Sequence, residues 1–326
     1  MPGGAHDHGL RAPGDNGEDR CAGCLPRTLP TDSRTGGGWG VRIADIYGAG
    51  TGPVFSFEFF PPKTERGAAN LMETVADLKA ALAPDWVSVT YGAGGATRGR
   101  TLEVVSAIEA ELGLTAMAHQ TCVAASSADV EANVAQLKAA GIENILALRG
   151  DIPKEGAAPS EDFSHATDLL EFLGQRFEGC LGAACYPETH PEAQSPAADL
   201  GYALAKQELG AEFLITQIFF DNRHYLDYLG RARELGIIIP IVPGIMPITD
   251  VAQIERFTEM CGSEIPQELT TRLRRHAADP AVVMATGIEH AITQCRELLA
   301  AGAPGVHFYT LNKSHATRSI LAALRG

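Results

Sequence analysis

Two carboxylates and two histidines stand where chemistry could begin. Glu58 lies in the run Val54-Phe-Ser-Phe-Glu-Phe-Phe-Pro-Pro-Lys63, which is otherwise mostly apolar and aromatic. A carboxylate in such a run is costly unless it is hydrogen-bonded or does chemical work. A structural role, paired with a Lys or Arg from a neighbouring strand, fits this segment equally well. Asp151 follows Arg149-Gly150, where it either caps a turn or joins Glu58 in dividing acid and base roles. His119 and His190 sit in polar clusters that follow apolar runs. They lack the i, i+4 helical spacing and companion carboxylates of a zinc site, so no metal is expected. Neither a Gly-x-Ser-x-Gly elbow nor a Gly-x-x-x-x-Gly-Lys-Ser/Thr loop occurs, which argues against hydrolase and kinase chemistry.

These residues need elements to position them. From position 41 onward, apolar strands alternate with helical segments, the pattern of a parallel sheet. The expected strands are 54–60, 86–90, 115–119, 144–148, 180–185, 213–217, 240–242 and 305–309. Helices are expected at about 68–83, 100–112, 127–140, 165–176, 197–209, 222–235, 250–261 and 316–324. Two more, at 266–277 and 280–301, precede the last strand. Gly113, Gly141, Gly210, Gly236, Gly262 and Gly302 stand where helices should stop, and Asp221 and Thr249 or Asp250 are candidate N-caps. Eight strands, each followed by a helix, make an α/β fold of the (β/α)8 TIM-barrel type the simplest account. In such a barrel, chemistry belongs to the C-terminal strand ends. Those ends read Glu58, Thr90-Tyr91, His119-Gln120-Thr121, Arg149-Gly150-Asp151, Tyr186 to His190, Gln217, Pro243-Gly244 and Tyr309 to Asn312. An open doubly wound sheet would require a glycine fingerprint between strand and helix. Tyr91-Gly-Ala-Gly-Gly-Ala-Thr97 begins one but has Thr97 where the third glycine belongs.

Composition narrows the function. The chain has 326 residues, and its net charge of -14 argues against a nucleic-acid partner or an anionic membrane surface. No segment is apolar enough to span a bilayer, and the N-terminus lacks the core of a signal peptide. Seven scattered cysteines fit reduced thiols, so a cytoplasmic location is expected. Residues 1–40 hold 10 Gly and 4 Pro without hydrophobic periodicity and read as a disordered extension to a single barrel domain over 41–326. The pair Cys21 and Cys24 in that extension has no second pair to complete a metal site.

Taken together, eight motifs resemble the methylenetetrahydrofolate reductases over some 280 residues, from about Ile43 to the C-terminus. They are Phe57-Glu-Phe-Phe-Pro-Pro-Lys63, Val89-Thr-Tyr-Gly-Ala93, Ala118-His-Gln-Thr-Cys122, Ala147-Leu-Arg-Gly-Asp151, Tyr186-Pro-Glu-Thr-His-Pro-Glu-Ala193, Ile215-Thr-Gln-Ile-Phe-Phe-Asp221, Val242-Pro-Gly-Ile-Met-Pro-Ile248 and His307-Phe-Tyr-Thr-Leu-Asn312. The resemblance implies a barrel that holds FAD non-covalently. NADH, or alternatively NADPH, would reduce the flavin and leave. 5,10-methylenetetrahydrofolate would then be reduced on the same flavin face to 5-methyltetrahydrofolate, feeding methionine synthesis.

The resemblance assigns the general acid to Glu58 and an electrostatic role beside flavin and pterin to Asp151. Desolvation in an apolar strand favours the protonated carboxyl that such an acid needs. It places flavin contacts at Thr90, Tyr91, Ala93, His119, Arg149, Gly150, Asp151, Ala166, Tyr186, His190, Ala193, Asp199 and Lys206. Folate or nicotinamide contacts fall at Gln217, Gln253, Phe257 and Lys313. Three departures stand out. Tyr202 and Ala205 occupy positions where bacterial relatives often carry Asn and Arg toward the flavin's adenosine. Lys313 replaces an Arg common after Thr-Leu-Asn. The chain stops soon after the barrel, so the regulatory domain of eukaryotic relatives, and inhibition by S-adenosylmethionine, are not expected. A homo-oligomer is expected. Two rival readings in the same fold are a proline-dehydrogenase-like flavoenzyme and a flavin-free pterin methyl-transfer barrel.

Overall fold

Apolar runs of four to six residues, bounded by Gly, Pro and Asp, set the strands of this protein, and amphipathic segments between them set the helices. The computed structural model describes residues 41–91, 98–151, 160–312 and 314–325, all within the unit 36–326. Ala93, Lys313 and the 1–40 segment with Cys21 and Cys24 lie outside the described residues.

The element order is α1 Ile43–Gly48, β1 Val54–Phe59, α2 Glu65–Leu82, β2 Trp86–Val89, α3 Arg98–Leu112, β3 Ala116–Thr121, α4 Ser127–Ala139, β4 Asn144–Leu148, α5 Ala166–Gly174, β5 Cys180–Cys185, α6 Pro196–Glu208, β6 Phe213–Thr216, α7 Asn222–Leu235, β7 Ile241–Val242, β8 Gly244–Ile245, α8 Val251–Cys261, α9 Gln267–Arg275, α10 Pro280–Ala300, β9 Gly305–Tyr309 and α11 Ser314–Arg325. The six glycines read as helix stops all adopt positive φ. Asp221 and Asp250 cap α7 and α8 by accepting from the N–H groups of Arg223 and Gln253.

The strands form one parallel sheet in the order β7-β6-β5-β4-β3-β2-β1-β9-β8. Its two outermost members, β7 and β8, are separated in the chain only by Pro243. The strand expected at 240–242 appears as β7, and a second short piece, β8, continues it past Pro243. Proline has no N–H to donate, so the ladder breaks there. The Pro243 carbonyl still accepts from His307 N at 3.0 Å. The ring thus closes into a (β/α)8 barrel whose seventh strand comes in two short pieces.

Side chains alternate across each strand. On β1, Phe55, Phe57 and Phe59 pack outward with Leu71, Val75, Leu78 and Leu82 of α2. Val54 belongs to a separate inner cluster with Trp86, Met117, Leu146, Cys180, Phe213, Ile215 and Val242. Burying each large side chain contributes about 1.5–3 kcal/mol. Phe213 needs space that only glycine leaves: a Cβ on Gly182 would sit 2.5 Å from its ring. Helix α1, which periodicity over six residues is too short to reveal, joins the inner cluster through Ile43. Ile43 N donates to Asn144 Oδ1 at 2.8 Å and Arg42 pairs with Glu212 at 2.6 Å, so α1 attaches where β4 and β6 begin. The interior is thus apolar toward the strand starts and free to be polar toward their ends.

Glu109 of α3 is a buried carboxyl on this structural side. Its Oε1 accepts from Ala116 N at 3.0 Å. Burial pushes its pKa up to about 7, against the lowering effect of that hydrogen bond, with Glu143 adding repulsion. A carboxyl whose folded pKa is raised contributes its stability below the unfolded value and loses it as pH rises through the folded one. Stability from Glu109 therefore falls between roughly pH 4.5 and 7. Glu109→Gln keeps an acceptor for Ala116 and removes the ionisation. It should raise stability at pH 8 by about 2 kcal/mol and change little at pH 4.5. Urea unfolding at both pH values checks this, and a difference independent of pH refutes it.

Candidate active site

The period of two that buries Phe57 and Phe59 outward turns Ser56 and Glu58 inward. Register then does the assembly. Ser56 lies level with Trp86 and His307, and Glu58 with Ser88 and Tyr309. Ser56 Oγ is 2.8 Å from His307 Nδ1, and His307 Nε2 is 3.4 Å from Glu58 Oε2. His119 Nε2 reaches the same carboxylate oxygen at 3.4 Å. Trp86 stacks on the His307 ring, centroids 5.0 Å apart and planes 17° from parallel, which fixes that imidazole from below.

The His307 ring can present either tautomer between Ser56 and Glu58. With the carboxylate ionised, His307 donates from Nε2 and accepts the Ser56 hydroxyl at Nδ1. With the carboxyl protonated, it donates to Nε2 while Nδ1–H turns to the Ser56 oxygen. His119 cannot supply charge here. Burial pulls its pKa down to about 4, with His307 adding to the depression and Glu58 opposing it, so the ring is neutral at physiological pH. Tyr309 stands perpendicular to His307 with its hydroxyl donating to Thr216 O at 2.8 Å. Its phenol is held protonated by burial.

Glu58 opens into a cavity of about 460 Å³ at the C-terminal strand ends. Thr90, Tyr91, His119, Arg149, Gly150, Asp151, Tyr186, His190, Gln217 and Phe257 line it with Glu58. A second cavity of about 270 Å³ adjoins it, sharing Leu148, Arg149, Ala184, Tyr186, His190 and Glu192. It is lined by Ala166 from the start of α5, by Ala193, and by Asp199 and Lys206 from α6. Gln253 lines neither cavity; its N–H is engaged by the Asp250 cap. The structure thus gathers fifteen of the eighteen residues singled out in the sequence into two joined spaces, with Ala93 and Lys313 outside the described residues.

Charge is distributed unevenly along these spaces. Arg149 makes a two-point pair with the exposed Glu192 at 2.5 and 2.9 Å where the cavities meet. Lys206 is half-buried and donates to Ala184 O at 2.7 Å. Among the described residues no carboxylate lies within ion-pair distance of it, and burial holds its pKa below the usual lysine value. Asp199 accepts from His190 N at 3.1 Å, and burial raises its pKa against that bond. Tyr186 and His190 meet edge to face at 4.6 Å. Among the described residues no group of three or more His, Cys, Asp or Glu is placed to hold a metal ion.

The sequence model of the methylenetetrahydrofolate reductases matches residues 43–325. The chain belongs to this family. A methylenetetrahydrofolate reductase of Pectobacterium carotovorum is 37% identical over 269 residues, covering 82% of this chain and 89% of its own. One from Salmonella typhimurium is 35% identical, with coverage of 82% and 90%. A probable methylenetetrahydrofolate reductase (NADH) of rice is 36% identical over 285 residues. The chain spans about half the length of that plant relative, 48%, and of the other plant relatives it matches. Among solved structures, an uncharacterised Clostridium thermocellum protein that binds two copies of 5-methyl-5,6,7,8-tetrahydrofolic acid shares the fold, with a TM-score of 0.59 at 14% identity, covering 83% of this chain and 94% of its own.

Within the methylenetetrahydrofolate reductase barrel, sequence reading missed Ser56 and His307 and gave Tyr309 only as a strand end, without a role. Each lay inside a quoted motif or the opening strand. The available signal was alternation: 54, 56 and 58 on β1 face the same side as 305, 307 and 309 on β9.

Proposed function

We propose that this protein reduces 5,10-methylenetetrahydrofolate to 5-methyltetrahydrofolate, with hydride drawn from NADH or NADPH through bound FAD in two successive half-reactions. The observation that carries this reading is a buried carboxyl, Glu58, close to His307 and His119 and lining a cavity that adjoins a second one, with Arg149 on both and Lys206 on the second. The residues fit a flavin dinucleotide: Lys206 lines the second cavity without a carboxylate partner among the described residues, and Arg149 stands at the junction. Each can meet a diphosphate oxygen, Arg149 by exchanging Glu192 for it. FAD, when bound, supplies a hydride acceptor and donor that serves both substrates in turn.

The chain's own residues do the rest. Glu58 is placed to give a proton to the folate's five-membered ring, which opens to an iminium that accepts hydride. His307, anchored at Nδ1 by the Ser56 hydroxyl, stands with Nε2 against the Glu58 oxygen. Asp151, exposed at the cavity edge, places negative charge near the cationic iminium. Gln217 offers a pterin edge an amide, though its Oε1 already accepts from Ile218 N at 2.8 Å, so its NH2 faces the ligand. Phe257 presents a half-buried ring on which the exchangeable substrate can stack. Among the described residues no helix is long and apolar enough to cross a membrane. The scattered cysteines motivate a cytoplasmic location as part of the proposal, together with a homo-oligomeric state.

Anaerobic stopped-flow spectroscopy tests the reading. Purified protein reconstituted with FAD should bleach on mixing with NADH or NADPH and recover its absorbance on mixing with methylenetetrahydrofolate. Protein that takes up no flavin, or whose reduced flavin ignores the folate, overturns the proposal.

A further inference from the structure

Past the last β1–β9 pair, Glu58 with Tyr309, the two strands stay joined by side chains. The Glu58 carbonyl accepts from Thr310 Oγ1 at 2.6 Å and from Thr310 N at 3.3 Å, which uses both its lone pairs. Thr310 Oγ1 in turn accepts from Asn312 N at 3.2 Å. The Asn312 carboxamide then takes both backbone groups of Phe60. Its Oδ1 accepts from Phe60 N at 2.8 Å, and its Nδ2 donates to Phe60 O at 3.0 Å. A side-chain amide thus does for Phe60 what a neighbouring strand's peptide does inside the sheet. Pro61 and Pro62 follow at once and have no N–H with which to extend the ladder.

The loop after β9 is bent to present that amide. Leu311 and Asn312 are consecutive left-handed residues, at φ of +52° and +58°. Side-chain-bearing residues hold such angles only where the surroundings impose them. Glycine would suit the turn at 312 better, so asparagine there is explained by its carboxamide. Glu58 needs support of this kind. Its Oε2 stands 3.4 Å from both His307 Nε2 and His119 Nε2, long for a hydrogen bond. Contacts of that length do not fix a carboxyl, and its aim comes from the backbone that carries it. Resting on the reductase reading above, in which Glu58 is the acid, we infer that Asn312 is a positioning residue for Glu58. Its carboxamide clamps the end of β1 and so aims the Glu58 carboxyl into the larger cavity, which Glu58 and Phe60 both line. Asn312 lines neither cavity and acts through the β1 backbone.

Asn312→Gly tests the inference, because it removes the amide while suiting the left-handed backbone. Thermal unfolding should stay near wild type, since Asn312 is exposed. Hydrogen exchange of the unliganded protein, read by mass spectrometry, should quicken in peptides that cover 57–60. Anaerobic stopped flow should show flavin reduction by the nicotinamide cofactor unchanged. The rate of folate reduction at saturating folate should fall about tenfold, with the folate concentration for half-maximal rate unchanged. Asn312→Asp, which turns an oxygen toward the Phe60 carbonyl, should slow the same half-reaction. In a Glu58→Gln background, Asn312→Gly should slow the residual folate reduction no further, because the group it aims is gone. A folate rate that stays at the wild-type value, a loss that appears only in the half-maximal concentration, or losses that multiply in the double variant each overturn the positioning role. Wild-type protein whose reduced flavin ignores the folate overturns the reductase reading itself, so the two failures are distinct.

Discussion

Glu58→Gln abolishes methylenetetrahydrofolate reduction while flavin reduction by the nicotinamide cofactor continues near the wild-type rate. Glutamine keeps the shape and can still accept from His307 Nε2, but it has no proton to release. General acid catalysis is worth about 10²–10⁴-fold, and that is the loss expected in the folate half-reaction. Hydride transfer from a nicotinamide to a flavin needs no acid at this position, so the first half-reaction isolates the effect. The fold should not suffer either. Glu58 has no lysine or arginine partner among the described residues, and its two neighbours are imidazoles, one of them held neutral by burial. Replacing the carboxylate therefore strands no buried charge. Stopped-flow rates for the two half-reactions, measured with one variant, decide the matter. Loss of both together would assign Glu58 a structural role instead.

Why Glu58 could be read from the sequence, and His307 could not, has a physical basis. A carboxylate among phenylalanines violates the expectation for a buried strand, and Pro61-Pro62 marks the strand end that exposes it to chemistry. A histidine in Gly-Val-His-Phe-Tyr violates nothing, because imidazole is tolerated in half-buried strands. Its importance comes from register with Ser56, which is a non-local pairing between the first and last strands. The same limit explains other differences. Strand β3 runs on past His119 through Gln120 and Thr121, residues that look like a loop by polarity. Gln120 is buried there because Asn133 of α4 donates to its side chain. Helix α1 is held by Asn144 and Glu212, partners at least a hundred residues away. Local signals such as glycine stops and aspartate caps were legible because their physics is local. Glu58, Thr90, His119, Arg149 and Gln217 were legible because they cluster at strand ends, and Ala166, Asp199, Lys206 and Phe257 only through the resemblance, whereas the Trp86–His307 stack and the Arg149–Glu192 pair required the closed barrel.

Closure of that barrel depends on one backbone position, and Gly305→Ala should be the most destabilising single methyl added to the sheet. Gly305 opens β9 with φ of +154° and pairs with Val54. A Cβ built there would lie 1.9 Å from Val54 O and 2.6 Å from Val54 N. Those are backbone atoms of the neighbouring strand, so no side-chain rotation can relieve the overlap. An L-residue also resists this φ, at a cost of about 1–3 kcal/mol before any clash. Strand separation adds to that, because Val54 N also donates to Pro304 O at 3.0 Å in the same corner. A total above about 3 kcal/mol should lower the melting temperature by roughly 10 °C. The effect should reach function as well, since the β1–β9 ladder that begins at Val54–Gly305 sets Ser56 against His307 and Glu58 against Tyr309. Gly201→Ala supplies the contrast. Gly201 is exposed in the middle of α6 with nothing within 4 Å of an added Cβ, so alanine there should stabilise by about 0.5–1 kcal/mol. Thermal unfolding of both variants separates a general intolerance of substitution from a specific need for backbone contact at the seam. A Gly305→Ala protein that melts within a degree of wild type would mean that β1 and β9 can part at their start without disturbing the ladder above, and the acid site would then owe its geometry to Trp86 and Tyr309 instead.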